Sequence, residues 1–460
     1  MAKLVYEKVQ RFERAESSVK ILIGNRWLSI FVARKPYSAP KFNYMNSSVN
    51  SADIAFILVS AGLVLLMTPG VSFFYGGMVK KKNLVSTMAQ SFVCMAVISL
   101  VWYFFGFSLA FGNSMGGFIG SPGSYTFFKN VGLAPNPAFS ATIPFMLFAL
   151  FQLKFAIITP ALVTGAFAER IHFRAYLAFI VLFSILVYAP VAHWTWHPEG
   201  FLHKWGVLDF AGGTVVHITA GMASLAAAML FRKRQEQDLK YSSIPFVLLG
   251  GALLWFGWFG FNGGSALAAN ELAVQTVMNT HLASASAMIM WMALDYLRNK
   301  KVSAVGSCIG AIVGLVAITP ACGFVSLAAS FWIGVIGAAV SFYAVHWRSQ
   351  TGLDDTLDVF PCHGMGGITG MILTAVFAQK GGLLNGGGFT LLGVHLLGLA
   401  IVIAYSFGMS YLIYRFIKLI LPLEVTPEEE KAGLDITQHG EFAEFWDGVD
   451  RRSGAGNPNL

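Results

Sequence analysis

Charge is what this sequence has least of. Only 12% of its 460 residues are Asp, Glu, Lys or Arg, against about 25% in a typical soluble domain. Hydrophobic residues make up 56% and the mean hydropathy is +0.63. Such a composition excludes a water-soluble globule, a disordered chain and a nucleic-acid-binding domain. Cysteine is also scarce. Cys94, Cys308, Cys322 and Cys362 lie in or near apolar runs without metal-ligand spacing, so they read as small core residues. No His-Glu-x-x-His pattern occurs, and a protease reading finds no support. A polytopic membrane protein remains, and the net charge of +8 has to be located along it.

Nine of the Lys and Arg residues fall within 1–44 against three acids, a net +6, whereas the other 416 residues hold 22 Lys/Arg against 20 acids. A membrane helix needs about 20 mostly apolar residues. Cutting the chain at its polar and Gly/Pro interruptions predicts eleven: 54–79, 84–111, 140–168, 174–194, 210–231, 244–262, 272–297, 303–318, 323–347, 358–378 and 389–421, the eighth short and the ninth rich in glycine. Alternate loops carry thirteen cations (Lys80–Lys82, Arg170, Arg174, Arg232–Arg234 with Lys240, Arg298, Lys300, Lys301 and Arg348), and the opposite set only Lys129, Lys204 and Lys380. The excess of positive loops marks the cytoplasmic side. The bundle is therefore expected to start outside, and its tail, 422–460, to end in the cytoplasm. Within the tail, the acidic run Glu428–Glu430 reads as a solvated segment. An outside start conflicts with the +6 of residues 1–44, whose apolar piece Ile21–Ala33 is interrupted by Asn25, Arg26 and Ser29 and makes a poor signal peptide. Residues 1–44 are accordingly expected to be a basic extension ahead of a native start at Met45, followed by a membrane domain over 45–421.

Ionisable side chains inside membrane helices are costly and face the bundle interior. The fifth and tenth segments hold one each: His217 in a Gly212-Gly213-Thr214-Val215-Val216-His217 run, and His363 before Gly364-Met365-Gly366-Gly367. Each follows an aspartate, Asp209 eight residues before and Asp358 five before. A lone membrane histidine is commonly a satisfied interhelical hydrogen bond, but two at matched places in glycine-rich helices point to a shared pathway. Two imidazoles alone leave a metal short of ligands. Five helices followed by five force the second half into inverted orientation, the architecture of many transporters, with the substrate path at the repeat interface. A long eleventh helix closes the bundle.

Aromatic residues gather at the expected outer ends: Phe151-Gln152-Leu153-Lys154-Phe155, His193-Trp194-Thr195-Trp196, and Trp255 through Ser265. An interfacial aromatic belt would look the same. A cation–π vestibule with a hydroxyl acceptor, suited to a small cation, is the sharper reading.

At these residues the sequence resembles the ammonium transporter (Amt/Mep/Rh) family, of the bacterial type. The matching stretches are Phe73–Gly77, Gly165–Arg170, Asp209–Gly213, Gly257–Ser265, Thr319–Gly323, Asp358–Phe360 and Gly433–Glu441. The resemblance implies an all-α multi-pass protein of the inner membrane that is not an enzyme, uses no cofactor and binds no nucleic acid. By the same resemblance Phe151, Trp196, Phe261 and Ser265 form an outer ammonium site, and Phe151, Phe155 and Phe261 gate it. His217 and His363 are the paired pore histidines, and Asp209 orders the recruitment region. The family forms homotrimers with one pore per subunit, and its bacterial members are closed from the cytoplasm by a PII signal protein. Two features depart from the family pattern. His197-Pro198-Glu199-Gly200 is bulkier than the usual glycine-rich stretch, and Lys154 stands between the gate phenylalanines in sequence, where helical spacing turns it about 100° from Phe155 and lets it snorkel outward. Two alternatives stay open: an ammonium sensor of the same family, and an Rh-like neutral-gas channel, whose sites usually lack the tryptophan found here at Trp196.

Overall fold

The computed structural model describes residues 49–238, 241–441 and 443, together with the backbone of two strands nearer the N-terminus. The chain divides into two compact units, residues 1–47 and 48–460. In the first, β1 (Ser18–Ile23) pairs antiparallel with β2 (Arg26–Phe31), Ser18 opposite Phe31. The expected start at Met45 falls outside the described residues.

The second unit is helical. Its successive helices are α1 (Ser51–Met78), α2 (Lys81–Phe111), α3 (Phe145–Ala166), α4 (residues 173–196), α5 (Gly213–Leu230), α6 (Ile244–Gly263), α7 (Glu271–Asn299), α8 (Ala304–Ile318), α9 (Leu327–Ser349), α10 (Phe360–Phe377) and α11 (Thr390–Ile420). Each predicted interval holds a helix, although its first residues can lie outside it, as 140–144 and 323–326 do. Among the described residues nine helices are long and apolar enough to cross a membrane. The exceptions are α7, loaded with Gln275, Asn279, Thr280, His281 and three serines or threonines more, and α8, which is fifteen residues long. Asn or Ser side chains that accept from the first free amides start several of them: Asn50 for α1, Ser243 for α6, Asn270 for α7, Ser303 for α8 and Ser326 for α9.

Packing repeats between the two halves. α1 lies on α3 as α6 lies on α8, α2 on α4 as α7 on α9, and α3 on α5 as α8 on α10. α1 and α6 pack against each other, as do α5 and α10, so the two halves meet along equivalent helices. The close approach of α1 to α6 requires glycine. A Cβ on Gly250 would sit 2.3 Å from the Phe74 amide nitrogen.

At one end of the bundle the cation-bearing loops converge on buried carboxylates. Arg170 is fully buried and ion-paired with Asp354, which also receives Arg234 Nε at 3.2 Å and Nη2 at 3.0 Å. Arg234 Nη1 reaches Glu169 at 3.0 Å, and Glu169 accepts from the Lys80 amide at 2.7 Å. Burial opposes these charges. Even so, Arg170 and Arg234 hold Asp354 below the ordinary carboxylate value, and Asp354 with Glu169 holds Arg234 above its own. The tail straps this end. Its short helix α12 (Pro427–Ala432) opens with a capping box between Thr426 and Glu429. Glu430 is buried and binds the Arg232 guanidinium and the Gln235 amide, and Asp435 accepts from Val85 N at 3.0 Å and Ser86 N at 2.7 Å. The acidic run expected to be solvated is thus partly structural. Glu429 closes the cap and Glu430 pairs with a guanidinium, because the positive loops lie directly above it.

Candidate functional site

Two distorted helix starts place the histidines. The chain enters α5 through Gly212, whose φ of 121° belongs to the region that favours glycine. From Gly213 to Ile218 the helix widens into a π-type turn, with the His217 amide donating to Gly212 O at 3.1 Å. Asp209 anchors this start: its carboxylate accepts from the amides of Gly212 (2.8 Å), Gly213 (2.6 Å) and Thr214 (2.7 Å) and from the Thr214 hydroxyl. α10 opens on a matching wide turn, Phe360–Met365. Its anchor is Asp355, whose Oδ2 accepts from the Phe360 amide at 2.7 Å. The aspartate matched to Asp209 is therefore Asp355, eight residues before His363, and not Asp358. Asp358 is engaged elsewhere, with Arg348 Nη2 at 2.6 Å and Nε at 2.8 Å.

Glycine then lets α5 and α10 touch. A Cβ on Gly221 would lie 2.2 Å from the Gly364 Cα, and one on Gly367 would lie 3.2 Å from the His217 Cβ. The outcome is a histidine pair with Nδ1 atoms 3.3 Å apart and rings 22° from parallel. Both residues are buried, and His217 Nε2 has no hydrogen-bond partner among the described residues. Trp258 stacks on His217 at 5.5 Å and is itself fixed by donation from Nε1 to Thr319 Oγ1 at 2.9 Å.

On one side of the pair lies a vestibule of about 300 Å³, lined among others by Trp196, Ser265, Phe155, Gln152, Phe210 and His203. Trp196 is aimed by its indole, which donates to Asp209 O at 3.1 Å, so one aspartate serves both the helix start and the vestibule wall. Ser265 donates to Phe261 O at 2.8 Å. Its oxygen lone pairs remain available as acceptors. Phe155 and Phe261 form the constriction, their centroids 4.3 Å apart, and Phe155 meets Trp196 edge-on at 5.8 Å. Phe151 stands behind Phe155, edge-on at 5.0 Å and fully buried. Phe261 in turn lies 6.1 Å from His217.

Below the constriction the space shrinks to a cavity of about 10 Å³ walled by Phe261, Trp258, His217, His363 and apolar residues of α1, α3 and α8. That volume holds about one water-sized molecule. A second cavity of about 20 Å³ follows on the far side of His363, lined by Phe74, Tyr75, Cys362 and Asp358. The two lower cavities share Phe74, Tyr75, Ile312 and His363 as wall residues, and the contact of Phe155 with Phe261 joins the vestibule wall to that of the upper one.

Two sequence features resolve into structural roles. Lys154 lies on the helix face of the exposed Met146 and Leu150, about 100° from Phe155, as the spacing requires. It does not snorkel freely: the residue is only 9% exposed. Gly112-Asn113-Ser114-Met115-Gly116 has the Gly-x-Ser-x-Gly spacing, and Ser114 Oγ lies 2.8 Å from His193 Nε2. The other ring nitrogen of His193 faces the Ala110 carbonyl at 2.9 Å instead of a carboxylate, and Ser114 sits in a two-residue strand rather than on a strand-to-helix turn. Neither the orienting acid nor the elbow of a hydrolase is present at this serine.

The sequence profile described as the Ammonium Transporter Family matches residues 55–444. The ammonium transporter of Bacillus subtilis (strain 168) is 45% identical over 402 residues, 85% of this chain and 98% of that protein. Ammonium transporter Amt1 of Archaeoglobus fulgidus is 40% identical, covering 86% of this chain and all of its own length. Among solved structures, Saccharomyces cerevisiae Mep2 superposes with a TM-score of 0.77 at 35% identity, over 84% of this chain and 89% of that one. A structure described as a sensor Amt protein superposes at 0.78 with 32% identity, over 84% and 98%. A family profile spanning most of the chain, relatives above 40% identity and the matching all-helical architecture lead to one conclusion: the chain belongs to the ammonium transporter family, whose members are membrane transporters and not enzymes.

Proposed function

We propose that the protein takes up ammonium at the vestibule, that the ion gives its proton to vestibule solvent ahead of the Phe155–Phe261 constriction, the proton returning separately, and that ammonia passes along the narrow path past His217 and His363. The observation that carries this reading is the sequence of spaces: a vestibule of about 300 Å³ walled by Trp196, Phe155 and Ser265 that narrows to about 10 Å³ beside two buried imidazoles. Aromatic faces attract a small cation, and the Ser265 oxygen accepts one of its N–H groups. Phe151 supports the recruitment wall from behind Phe155. An ion entering a dry passage one molecule wide loses its hydration at a cost of several kcal/mol, whereas neutral ammonia loses far less. Potassium, of similar size and charge, has no proton to give up and is left in the vestibule. Neutral imidazoles donate and accept at once, so the facing Nδ1 atoms share one proton and the unpartnered His217 Nε2 addresses the passing ammonia. Asp209 acts as the positioning carboxylate beneath the site.

The vestibule end faces outward and the cation-rich end with the tail faces the cytoplasm of the inner membrane. The protein works as a homotrimer with one pathway per subunit, and its cytoplasmic face is closed by a PII signal protein. A sensing role is the second reading, favoured by the likeness to a sensor Amt protein. The test is current recording from proteoliposomes on a solid-supported membrane. Wild type is expected to give an ammonium-dependent, potassium-independent current, reduced or altered in affinity by Trp196→Leu and abolished by combined His217→Asp and His363→Glu. Wild type without current or ammonia flux removes the transport reading and leaves the sensor.

A further inference from the structure

Among the described residues, the vestibule wall holds a buried polar side-chain atom that the fold does not use. Gln152 stands on α3 within the Phe151–Phe155 stretch and lines the vestibule beside Trp196, Ser265 and Phe155. Its carboxamide oxygen is buried and has no hydrogen-bond partner among the described residues. Buried polar atoms in folded proteins are paired as a rule, so an orphan acceptor at the wall of a cavity calls for a partner that arrives from the cavity. The side chain is also free to present its acceptor there. A half-turn about its last torsion exchanges the amide oxygen and nitrogen in position and breaks no bond to the oxygen.

We propose that Gln152 is a specificity-determining residue of the ammonium site, its carboxamide oxygen accepting an N–H of the bound cation. The inference rests on the reading of the vestibule as the recruitment site. Ammonium carries four N–H donors. The Ser265 oxygen takes one, since its own hydrogen is committed to Phe261 O at 2.8 Å. The faces of Phe155 and Trp196 take others electrostatically. Gln152 adds a second neutral oxygen, and neutrality matters: a carboxylate at this place would hold the proton-bearing cation against release toward the constriction.

The experiment measures ammonium-dependent currents in proteoliposomes for wild type, Gln152→Leu, Gln152→Met and Gln152→Glu, with methylammonium and trimethylammonium as competitors. Loss of one hydrogen bond to a charged donor is expected to raise the half-saturating ammonium concentration about tenfold in the Leu and Met variants, with the maximal current little changed. Gln152→Glu, which keeps an acceptor, should retain or tighten binding and slow turnover. Trimethylammonium has a single N–H, which Ser265 can satisfy, so its inhibition should be the same in Gln152→Leu as in wild type. A purely structural role would not produce that graded dependence on the number of N–H groups. The carboxamide oxygen is unpaired internally, so thermal unfolding of Gln152→Leu in detergent should not shift downward; a large fall would show a structural task and overturn the proposal. An unchanged ammonium half-saturation in the Leu and Met variants, alongside a raised one in Ser265→Ala, also overturns it and leaves the recruitment-site reading standing. Absence of any ammonium current in wild type would instead remove the recruitment-site reading itself.

Discussion

The two ends of the pathway use the same backbone device and opposite chemistry. At the vestibule end, one aspartate eight residues before a histidine anchors a wide helical turn. Asp209 there satisfies three amides and a hydroxyl, and the surrounding wall is aromatic. At the other end Asp355, also eight residues before a histidine, anchors the equivalent turn through the Phe360 amide, and its Oδ1 has no partner among the described residues. Around it stand Asp354 and Asp358, paired with Arg170, Arg234 and Arg348. A duplicated helix start thus fixes where each histidine sits, and what surrounds it is free to diverge. On the proposed function, the vestibule end must keep fixed cations away, because a guanidinium there would compete with ammonium for the same π faces and oxygens. The other end meets no such restriction and uses guanidiniums to tie three loops and the tail together.

The largest test of that contrast is Asp354→Ala. Removing the carboxylate leaves Arg170 and Arg234 facing each other in a buried site. Stripping one partner from a buried ion pair costs about 3–5 kcal/mol. Thermal unfolding in detergent should show a marked destabilisation, and replacing Arg170 by Met as well should restore part of it, because Arg170 is left without a carboxylate whereas Arg234 keeps Glu169. A variant that melts like wild type would show that the charge cluster does not hold this end.

The next test compares the two anchors directly. Asp209→Ala orphans three buried amides, and at about 1.5 kcal/mol or more for each bond to a charged acceptor the loss is expected to exceed about 3 kcal/mol. Asp355→Ala removes the bond to Phe360 along with a carboxylate whose other oxygen is already unpaired, so a loss of about 1–2 kcal/mol is expected. Equal melting shifts for the two variants would break the asymmetry drawn between the ends.

Much of this was legible in the sequence for a definite physical reason. Length and apolarity locate helices without tertiary knowledge, and each predicted interval holds one. His217, His363 and Asp209 stand out because a charged or titratable residue in a glycine-rich apolar run has few structural excuses. The role of Asp355 was available as a signal, the repeated eight-residue spacing, but Asp358 lies closer to the histidine and to the matching motif and drew the reading away. Other features have no one-dimensional trace. Arg234 and Asp354 are 120 positions apart, Glu430 meets Arg232 across 198, and only the folded loops bring them together. The orphan acceptor of Gln152 is equally invisible, since an unmade hydrogen bond exists only relative to three-dimensional neighbours. Phe151 and Phe155 sit four apart on one helix face, so spacing alone does not tell that one lines the vestibule and the other backs it.

The smallest expected effect is a pH slope set by the carboxyls of the charged end, which act with opposite signs. Burial pushes the Asp358 carboxyl up to about 7, the Arg348 guanidinium opposing and the Asp355 carboxyl reinforcing the shift. A carboxyl whose folded value lies above its unfolded value of about 4 contributes stability that is complete below pH 4 and is lost as the pH rises through about 7. Asp355 and Asp435 are raised by burial as well and act in the same direction. Asp354, held low by its two guanidiniums, acts oppositely: its contribution is present above the unfolded value and lost as the pH falls. The unfolding midpoint of wild type should therefore decline between pH 5 and about 7 from the raised carboxyls, and Asp358→Asn, an amide that does not titrate, should flatten that decline without abolishing it. At the vestibule end Asp209→Asn should lower the midpoint through the hydrogen bonds that its carboxylate accepts and an amide cannot all replace. A slope that Asp358→Asn leaves intact would show that this carboxyl does not carry the decline.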